Sequence, residues 1–139
     1  MQSNVAVRLQ GNVLITVHNA TAPTQADWDI YVQAVNQQAP RIMYQLVWSA
    51  GGGPNAAQRK HAVEATKKAI GSNVPTTAVM TTSHAVRALV TLFNWFYPGL
   101  YTAFSSTDFE GAFVHLNVPR SEHAKYAAVL AEMRASVRA

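Results

Sequence analysis

The sequence predicts an α/β domain built on a five-stranded, mixed and mostly parallel sheet. Short runs rich in β-branched residues alternate with stretches of helical apolar spacing, and strands separated by helices require parallel crossover connections. The first two runs are instead separated only by the turn residues 10–12, which indicates a β-hairpin with an antiparallel first strand at one edge. The predicted order is β-β-α-β-α-β-α-β-α-α over residues 1–139, a length that fits a single domain.

Five strands are predicted from runs of apolar or alternating residues. Residues 5–9 alternate in polarity, and residues 13–18 form the second half of the hairpin. The third run, 42–48, is apolar on both of its faces, as expected of a central strand that helices cover on both sides. The fourth and fifth strands are predicted at residues 76–81 and 100–104.

Helix boundaries are predicted from capping residues and from the glycine or proline that follows. Thr24 with Asp27 resembles a capping box, and Pro40 ends the first helix. The second helix begins at Asn55 and ends before Gly71, a residue type that is common just past a helix C-terminus.

Three further helices complete the predicted order. Ser83 is expected to cap a helix that ends before Pro98, and Thr107 with Glu110 begins a short helix to about residue 116. Ser121 then caps an additional C-terminal helix within residues 119–139. The apolar stripe of that helix is expected to face the core, and consists of Tyr126, Val129, Leu130, Met133 and Val137.

Composition excludes several classes of function. The chain has no cysteine, so disulfides, thiolate metal sites and cysteine nucleophiles are excluded. The five histidines are far apart in sequence and lack a nearby carboxylate pair, so neither a metal nor a cofactor is predicted. The 11 basic residues give a net charge of +4 but are scattered, whereas nucleic-acid binding requires a denser basic stripe.

Hydropathy indicates a protein that does not insert into a membrane. The longest apolar run is far shorter than the ~20 residues needed to span a bilayer. The N-terminal residues also lack the basic head and unbroken apolar core of a signal peptide. We therefore expect a cytoplasmic location.

The most informative segment follows the third strand, where Gly51, Gly52 and Gly53 lead into Pro54 and Asn55. This order places bare backbone and a helix N-terminus at the carboxyl end of the sheet, where open α/β sheets bind ligands. We expect free N–H groups there for an anion or a partner, with a purely structural turn as the alternative. A dinucleotide site is not favoured, because residues 71–77 lack the acidic residue that would hold the ribose.

Hydroxyl and imidazole side chains are expected at the same edge of the sheet. His18 and Ser49 end the second and third strands, while Ser83 and His84 follow the fourth. Ser49 with either histidine would supply the nucleophile and base of a serine hydrolase. No carboxylate ends any of these strands and no Gly-x-Ser-x-Gly motif occurs, so no catalytic residue is predicted. Ser83 is also explained as a helix cap.

The third helix is apolar around much of its circumference. Besides a core stripe that includes Val90 and Phe93, it carries a second apolar line of Ala85, Ala88, Leu92 and Trp95. Three explanations are open for this second line: the C-terminal helix covers it, it forms an interface with a protein partner or a second copy, or it contacts lipid. Trp95 is the expected anchor of an interface.

The chain resembles the STAS-like family, which includes the anti-sigma-factor antagonists and shares its fold in outline with some lipid-binding domains. The resemblance lies first in the hairpin followed by three β-α units. The junction at residues 47–59 is also similar to a "Gly-Gly-x-Pro-x-x-x-Gln-Arg" pattern of bacterial STAS-like proteins, and residues 90–98 add to the likeness. Phosphorylatable antagonists have a hydroxyl acceptor where the second helix begins. Here Gly51–Asn55 contains none, and Ser49 lies earlier.

The resemblance implies a non-catalytic recognition or regulatory module that binds a protein partner or an anionic group beside the glycine loop. Two alternatives are a carrier of a small apolar or lipid molecule, with its pocket between sheet and helices, and a serine-hydrolase-like enzyme. The predicted binding residues are Ser49, Gly51, Gly52, Gly53, Asn55, Arg59, Ser83, His84, Arg87, Leu92 and Trp95.

Overall fold

The structure, a computed structural model, describes residues 3–71 and 74–138. Its element order confirms the predicted α/β fold class. The strands are β1 (Val5–Gln10), β2 (Val13–His18), β3 (Tyr44–Ser49), β4 (Thr76–Thr81) and β5 (Tyr101–Phe104). The helices are α1 (Gln25–Gln38), α2 (Ala56–Ile70), α3 (His84–Phe96), α4 (Phe109–His115) and α5 (His123–Ser136).

The five strands form one sheet in the sequential order β1-β2-β3-β4-β5. Strands β1 and β2 pair antiparallel, whereas every later pairing is parallel, as predicted from the hairpin turn and the intervening helices. The register pairs His18 with Ser49, and Ser49 with Thr81. The carboxyl ends of three neighbouring strands therefore meet at one edge.

Helices cover both faces of the sheet. Right-handed crossovers that advance in one direction across a sheet place their helices on the same face, and α1, α2 and α3 share one face here. On β2, Leu14 packs against α1 on that side, while Val13, Ile15 and Val17 point to the opposite face. This alternation follows from the two-residue period of a strand.

The opposite face carries the better packed core. Phe113 of α4, Leu116 just after that helix and Leu130 of α5 are almost completely buried there. The predicted stripe of α5 is confirmed, since all five of its residues are buried. Helix α5 packs against α4, β1 and β2 and therefore lies across the sheet from α3. The hypothesis that the C-terminal helix covers the second apolar line of α3 is wrong.

Local hydrogen bonding confirms some predicted boundaries and changes others. Thr24 and Ser83 cap α1 and α3 as expected. Strand β3 begins two residues later than predicted, because a 3-10 turn at Ala39–Arg41 precedes it. Helix α4 is capped by Asp108, which accepts from the Gly111 amide, and not by Thr107. A 3-10 turn at Arg120–Glu122 leads into α5 without a side-chain cap, so the Ser121 cap is wrong.

Candidate functional site

A cavity of about 170 Å³ lies between the sheet and the helices α1, α2 and α3. It forms because α2 packs chiefly against α1 and the Ala39–Arg41 turn and leaves a gap above the sheet. The residues of α2 that face the gap, Ala62, Val63 and Thr66, are only half-buried. Protein interiors are normally packed without voids larger than a water molecule, so a gap of this size is a candidate site.

The cavity walls are mainly apolar. Val47 and Val79 project from the centre of the sheet, and Ala62 and Val63 face them from α2. Helix α3 supplies a third wall, which is the predicted core stripe of that helix and includes Val86, Leu89, Val90 and Phe93. These residues therefore form the apolar walls of the space.

Polar groups occupy the two ends of the cavity. His18, Ser49, the loop from Gly52 to Pro54, and Arg59 lie at the carboxyl end of the strands. Gln45, Thr77, Tyr31, Tyr101 and Lys67 lie toward the other end. Among the described residues that line the cavity, none is an aspartate or a glutamate. The lining therefore carries only positive formal charge, from Arg59 and Lys67.

His18 is the most perturbed ionisable group of the site. Its side chain ends β2 on the cavity face and is only 4% exposed. Burial disfavours the charged imidazolium and lowers the pKa of His18 to about 4. The Nδ1 atom is buried and has no hydrogen-bond partner among the described residues. At neutral pH the site thus contains a neutral imidazole with unused hydrogen-bonding capacity.

Two tyrosines at the other end are also held neutral. Burial raises the pKa of Tyr31 above its usual range, and it raises the pKa of Tyr101 in the same way. Thr77 Oγ1 donates to the Pro75 carbonyl oxygen at 3.1 Å. This end of the cavity therefore carries neutral polar groups together with the exposed Lys67.

The glycine loop is closed by its own hydrogen bonds. The Gly51 amide donates to Ser49 Oγ at 3.0 Å, and the Gly52 amide donates to the Asn19 carbonyl oxygen at 2.9 Å. The Asn55 amide donates to Gln58 Oε1 at 3.0 Å within a capping box that begins α2. The expectation of free N–H groups is wrong for these three residues, because sequence spacing does not show which acceptors a loop finds.

Ser49 stabilises this loop. Its hydroxyl donates to the Gly52 carbonyl oxygen at 2.7 Å, and the Ser49 carbonyl oxygen accepts from the Thr81 hydroxyl at 3.0 Å. In the described part of the chain, no hydrogen bond joins the Ser49 hydroxyl to the His18 imidazole. The arrangement does not form the nucleophile–base pair of a hydrolase.

The predicted site residues fall into two groups. Ser49, Gly52, Gly53 and Arg59 line the cavity. The others lie outside its lining and comprise Gly51, Asn55, Ser83, His84, Arg87, Leu92 and Trp95. Arg87 donates from Nη2 to the Thr81 carbonyl oxygen at 3.1 Å, and His84 is exposed in the first turn of α3.

The outer face of α3 carries an exposed apolar pair. Trp95 is 78% exposed and Leu92 is 43% exposed. Their exposure agrees with the second apolar line predicted for this helix. Whether a partner covers them stays a prediction.

Sequence reasoning placed His18 and Ser49 at the edge of the sheet but missed Thr16, Gln45 and Thr77, which also lie on the floor of the cavity. Thr16 and His18 alternate on β2, Gln45 and Ser49 lie on the same face of β3, and Thr77 follows on β4. A parallel sheet covered on both faces normally reads as a continuous apolar run. Polar residues at alternate positions of adjacent strands were therefore an available signal for a polar-lined space on one face.

Within residues 3–71 and 74–138, no helix has the length and apolarity needed to cross a bilayer. Over the same residues, no three His, Asp or Glu side chains group as metal ligands would. In comparisons with known proteins, no family model matches the chain and no curated protein matches it. The STAS-like assignment accordingly stays a prediction that rests on the quoted motifs.

Proposed function

We propose that this α/β domain binds a small, largely apolar molecule in the cavity between its sheet and helices α2 and α3. The single observation that carries the proposal is the apolar-walled space of about 170 Å³ beneath α2, a helix that packs chiefly on α1 and the Ala39–Arg41 turn. Ligand pockets are concave, mostly apolar and equipped with a few polar groups that set orientation, and this cavity has those properties.

The size of the cavity indicates the size of its occupant. An engineered protein cavity of ~150 Å³ with apolar walls binds benzene. A space of about 170 Å³ that opens in part to solvent therefore suits a molecule with one ring or a short alkyl chain. Burial of that apolar body would contribute ~25 cal/mol per Å² removed from water.

The contacts of Ser49 favour binding over catalysis. Its hydroxyl proton is directed to the Gly52 carbonyl oxygen, and the described lining residues include no carboxylate that could orient a catalytic histidine. We therefore propose a carrier or sensor, and we do not assign a reaction. If the STAS-like resemblance holds, the module acts in the bacterial cytoplasm as part of a signalling system.

The proposal is tested by calorimetric titration with toluene on the wild-type protein and on two matched variants. Val63→Phe adds a ring from α2 into the cavity and should abolish binding. Val114→Phe adds the same volume at an exposed position of α4 and should leave binding unchanged. Failure of toluene to bind the wild type, or equal binding by Val63→Phe, would overturn the proposal.

A second candidate function is recognition of a protein, and the exposure of Trp95 favours it specifically. Aromatic side chains dominate the energetics of many interfaces, and an indole that is 78% exposed is unusual for an isolated domain. Leu92 extends the apolar area by one helical turn. The two functions are compatible, because the cavity lies under the inner face of α3 and Trp95 lies on the outer face.

A further inference from the structure

The carboxyl end of the cavity contains polar groups that the chain does not satisfy. His18 is buried in the cavity lining, and its Nδ1 atom has no hydrogen-bond partner among the described residues. Buried polar atoms are almost always paired, because an unpaired one loses its hydrogen bond to water without compensation. The imidazole therefore lines the cavity with hydrogen-bonding capacity that the described chain does not use.

Arg59 lies at the same end and has unused donors. It is half-buried in the first turns of α2, and its Nη1 atom donates to the Pro54 carbonyl oxygen at 2.9 Å. A guanidinium has five N–H donors, so one bond to the backbone leaves several available. The ion pairs found among the described residues join Arg8 to Glu132 and Arg120 to Glu110, and neither involves Arg59.

The loop beside Arg59 leaves space for a ligand group. Gly53 lines the cavity, and a Cβ atom added to it would meet no heavy atom within 4 Å. Its neighbour Gly52 is in close contact with the backbone at Asn19 and Thr21, so of the two loop glycines that line the cavity only Gly53 has open space beside it. The opposite end of the cavity differs, because Thr77 Oγ1 already donates to the Pro75 carbonyl oxygen at 3.1 Å and the cation at that end, Lys67, is exposed.

We propose that the ligand carries an anionic head group of the carboxylate type, held at the carboxyl end of the cavity by Arg59 and by an N–H of His18. This inference rests on the proposed function and names the chemical class of its ligand. The apolar body then lies between Val47 and Val79 of the sheet and the inner face of α3. Arginine binds carboxylates well because its planar fork can donate two parallel hydrogen bonds.

The electrostatics of the cavity support an anion. Arg59 and Lys67 are its only charged lining residues among those described, and both are cations. Because the pKa of His18 is lowered to about 4, its imidazole is neutral at pH 7 and has one N–H to donate. A bound carboxylate would offset the cost of charging this ring and so raise its pKa.

The test compares ligands that share one ring and differ in head group: benzoate, benzyl alcohol and toluene. We expect calorimetry at pH 7 to give benzoate about a tenfold lower Kd than benzyl alcohol, as for a hydrogen-bonded charge. Arg59→Gln should remove this preference and retain toluene binding. Lys60→Gln, at an exposed position of the same helix outside the cavity, is the matched control.

Three outcomes would overturn the inference, and one of them also overturns the proposed function. Equal affinities for benzoate and toluene would exclude the head-group site and leave the apolar cavity intact. If Lys67→Gln removed the preference for benzoate and Arg59→Gln did not, the anion would bind at the end of the cavity opposite His18. Failure of all three probes to bind would end both proposals.

A second measurement requires no variant. The pKa of His18 is followed by NMR titration of the wild-type protein with and without saturating benzoate. An upward shift that toluene does not produce is expected. An unchanged pKa in the presence of bound benzoate would overturn the placement beside His18.

Discussion

The imidazole of His18 stacks on the indole of Trp28, with ring centroids 6.2 Å apart and planes inclined by 26°. Trp28 in turn donates from Nε1 to the Gln58 carbonyl oxygen at 2.9 Å, in the first turn of α2. The stack therefore connects β2 with α1, and the hydrogen bond connects α1 with α2. The position of α2, which forms one wall of the cavity, depends on both contacts.

Burial of His18 predicts a loss of stability in mild acid. Its folded pKa of about 4 lies below the ordinary value of 6.5, so the unfolded chain binds the proton more tightly. The stabilising contribution is complete above the unfolded pKa and is lost as the pH falls through the folded pKa. Between pH 7 and pH 4 the free energy of unfolding should fall by about 3 kcal/mol from this group.

Urea denaturation across that pH range measures the effect, with His18→Gln as the comparison. The carboxylates and the other four histidines are shared by the two proteins, so the difference between their pH profiles isolates His18. Parallel profiles would show that the ring titrates with an ordinary pKa and is not held neutral by burial.

The Trp28–Gln58 hydrogen bond predicts a cost for removing one indole N–H. Trp28→Phe leaves the Gln58 carbonyl oxygen without this donor and reduces the volume of a residue that is only 4% exposed. We expect the free energy of unfolding to decrease by about 2 kcal/mol in urea titrations. Trp95→Phe, at an exposed indole, should change it by less than ~0.5 kcal/mol. Similar effects at the two positions would contradict a specific role for the Trp28 hydrogen bond.

Adjacent glycines of the loop after β3 should differ sharply in their tolerance of alanine. A Cβ atom on Gly52 would lie 2.4 Å from the Asn19 carbonyl oxygen and 2.5 Å from that of Thr21, and both are backbone atoms. Gly52→Ala should therefore lower the free energy of unfolding by ~2 kcal/mol or more. Gly53→Ala meets open space and should stay within ~0.5 kcal/mol of wild type. Equal losses in thermal or urea unfolding would mean that the loop does not approach the 19–21 segment this closely.

The interface hypothesis for α3 predicts weaker self-association or partner binding on truncation of Trp95. Because the indole is 78% exposed, Trp95→Ala should leave the free energy of unfolding within ~0.5 kcal/mol of wild type. Sedimentation velocity over a concentration series should show a shift toward monomer in Trp95→Ala. Met43→Ala, a change at another exposed apolar residue, should show no shift. Unfolding of Trp95→Ala would contradict an interface at this residue, and identical sedimentation of all three proteins would contradict self-association through it.

The sheet could be predicted from sequence because its signals are local. The turn at Gly11 specified the antiparallel hairpin, and helical spacing between later strands specified parallel pairing. Thr24 and Ser83 were recognisable as caps because a cap acts within three residues of itself. Asp108 was missed as a cap because it is next to Thr107, and sequence alone does not show which oxygen reaches the Gly111 amide.

A pocket between sheet and helices was one of the predicted alternatives, but no local sequence pattern could establish it, because a cavity depends on the distance between elements. Val63 and Val90 have the spacing of ordinary core residues, and no local pattern shows that α2 packs chiefly on α1. Local sequence likewise did not show which face of the sheet α5 covers, because that depends on tertiary packing. The amides of Gly51 and Gly52 were expected to be free because their acceptors, Ser49 Oγ and the Asn19 carbonyl oxygen, become neighbours only after folding.

Methyl NMR of the wild-type protein titrated with toluene tests the central claim most directly. We predict saturable shifts of the methyl groups that line the cavity, namely those of Val63, Val79, Leu89 and Val90, while Val129 and Leu130 on the opposite face stay unchanged. The absence of any saturable shift, or shifts confined to Leu92 and its neighbours on the outer face of α3, would contradict a ligand-binding cavity beneath α2 and α3.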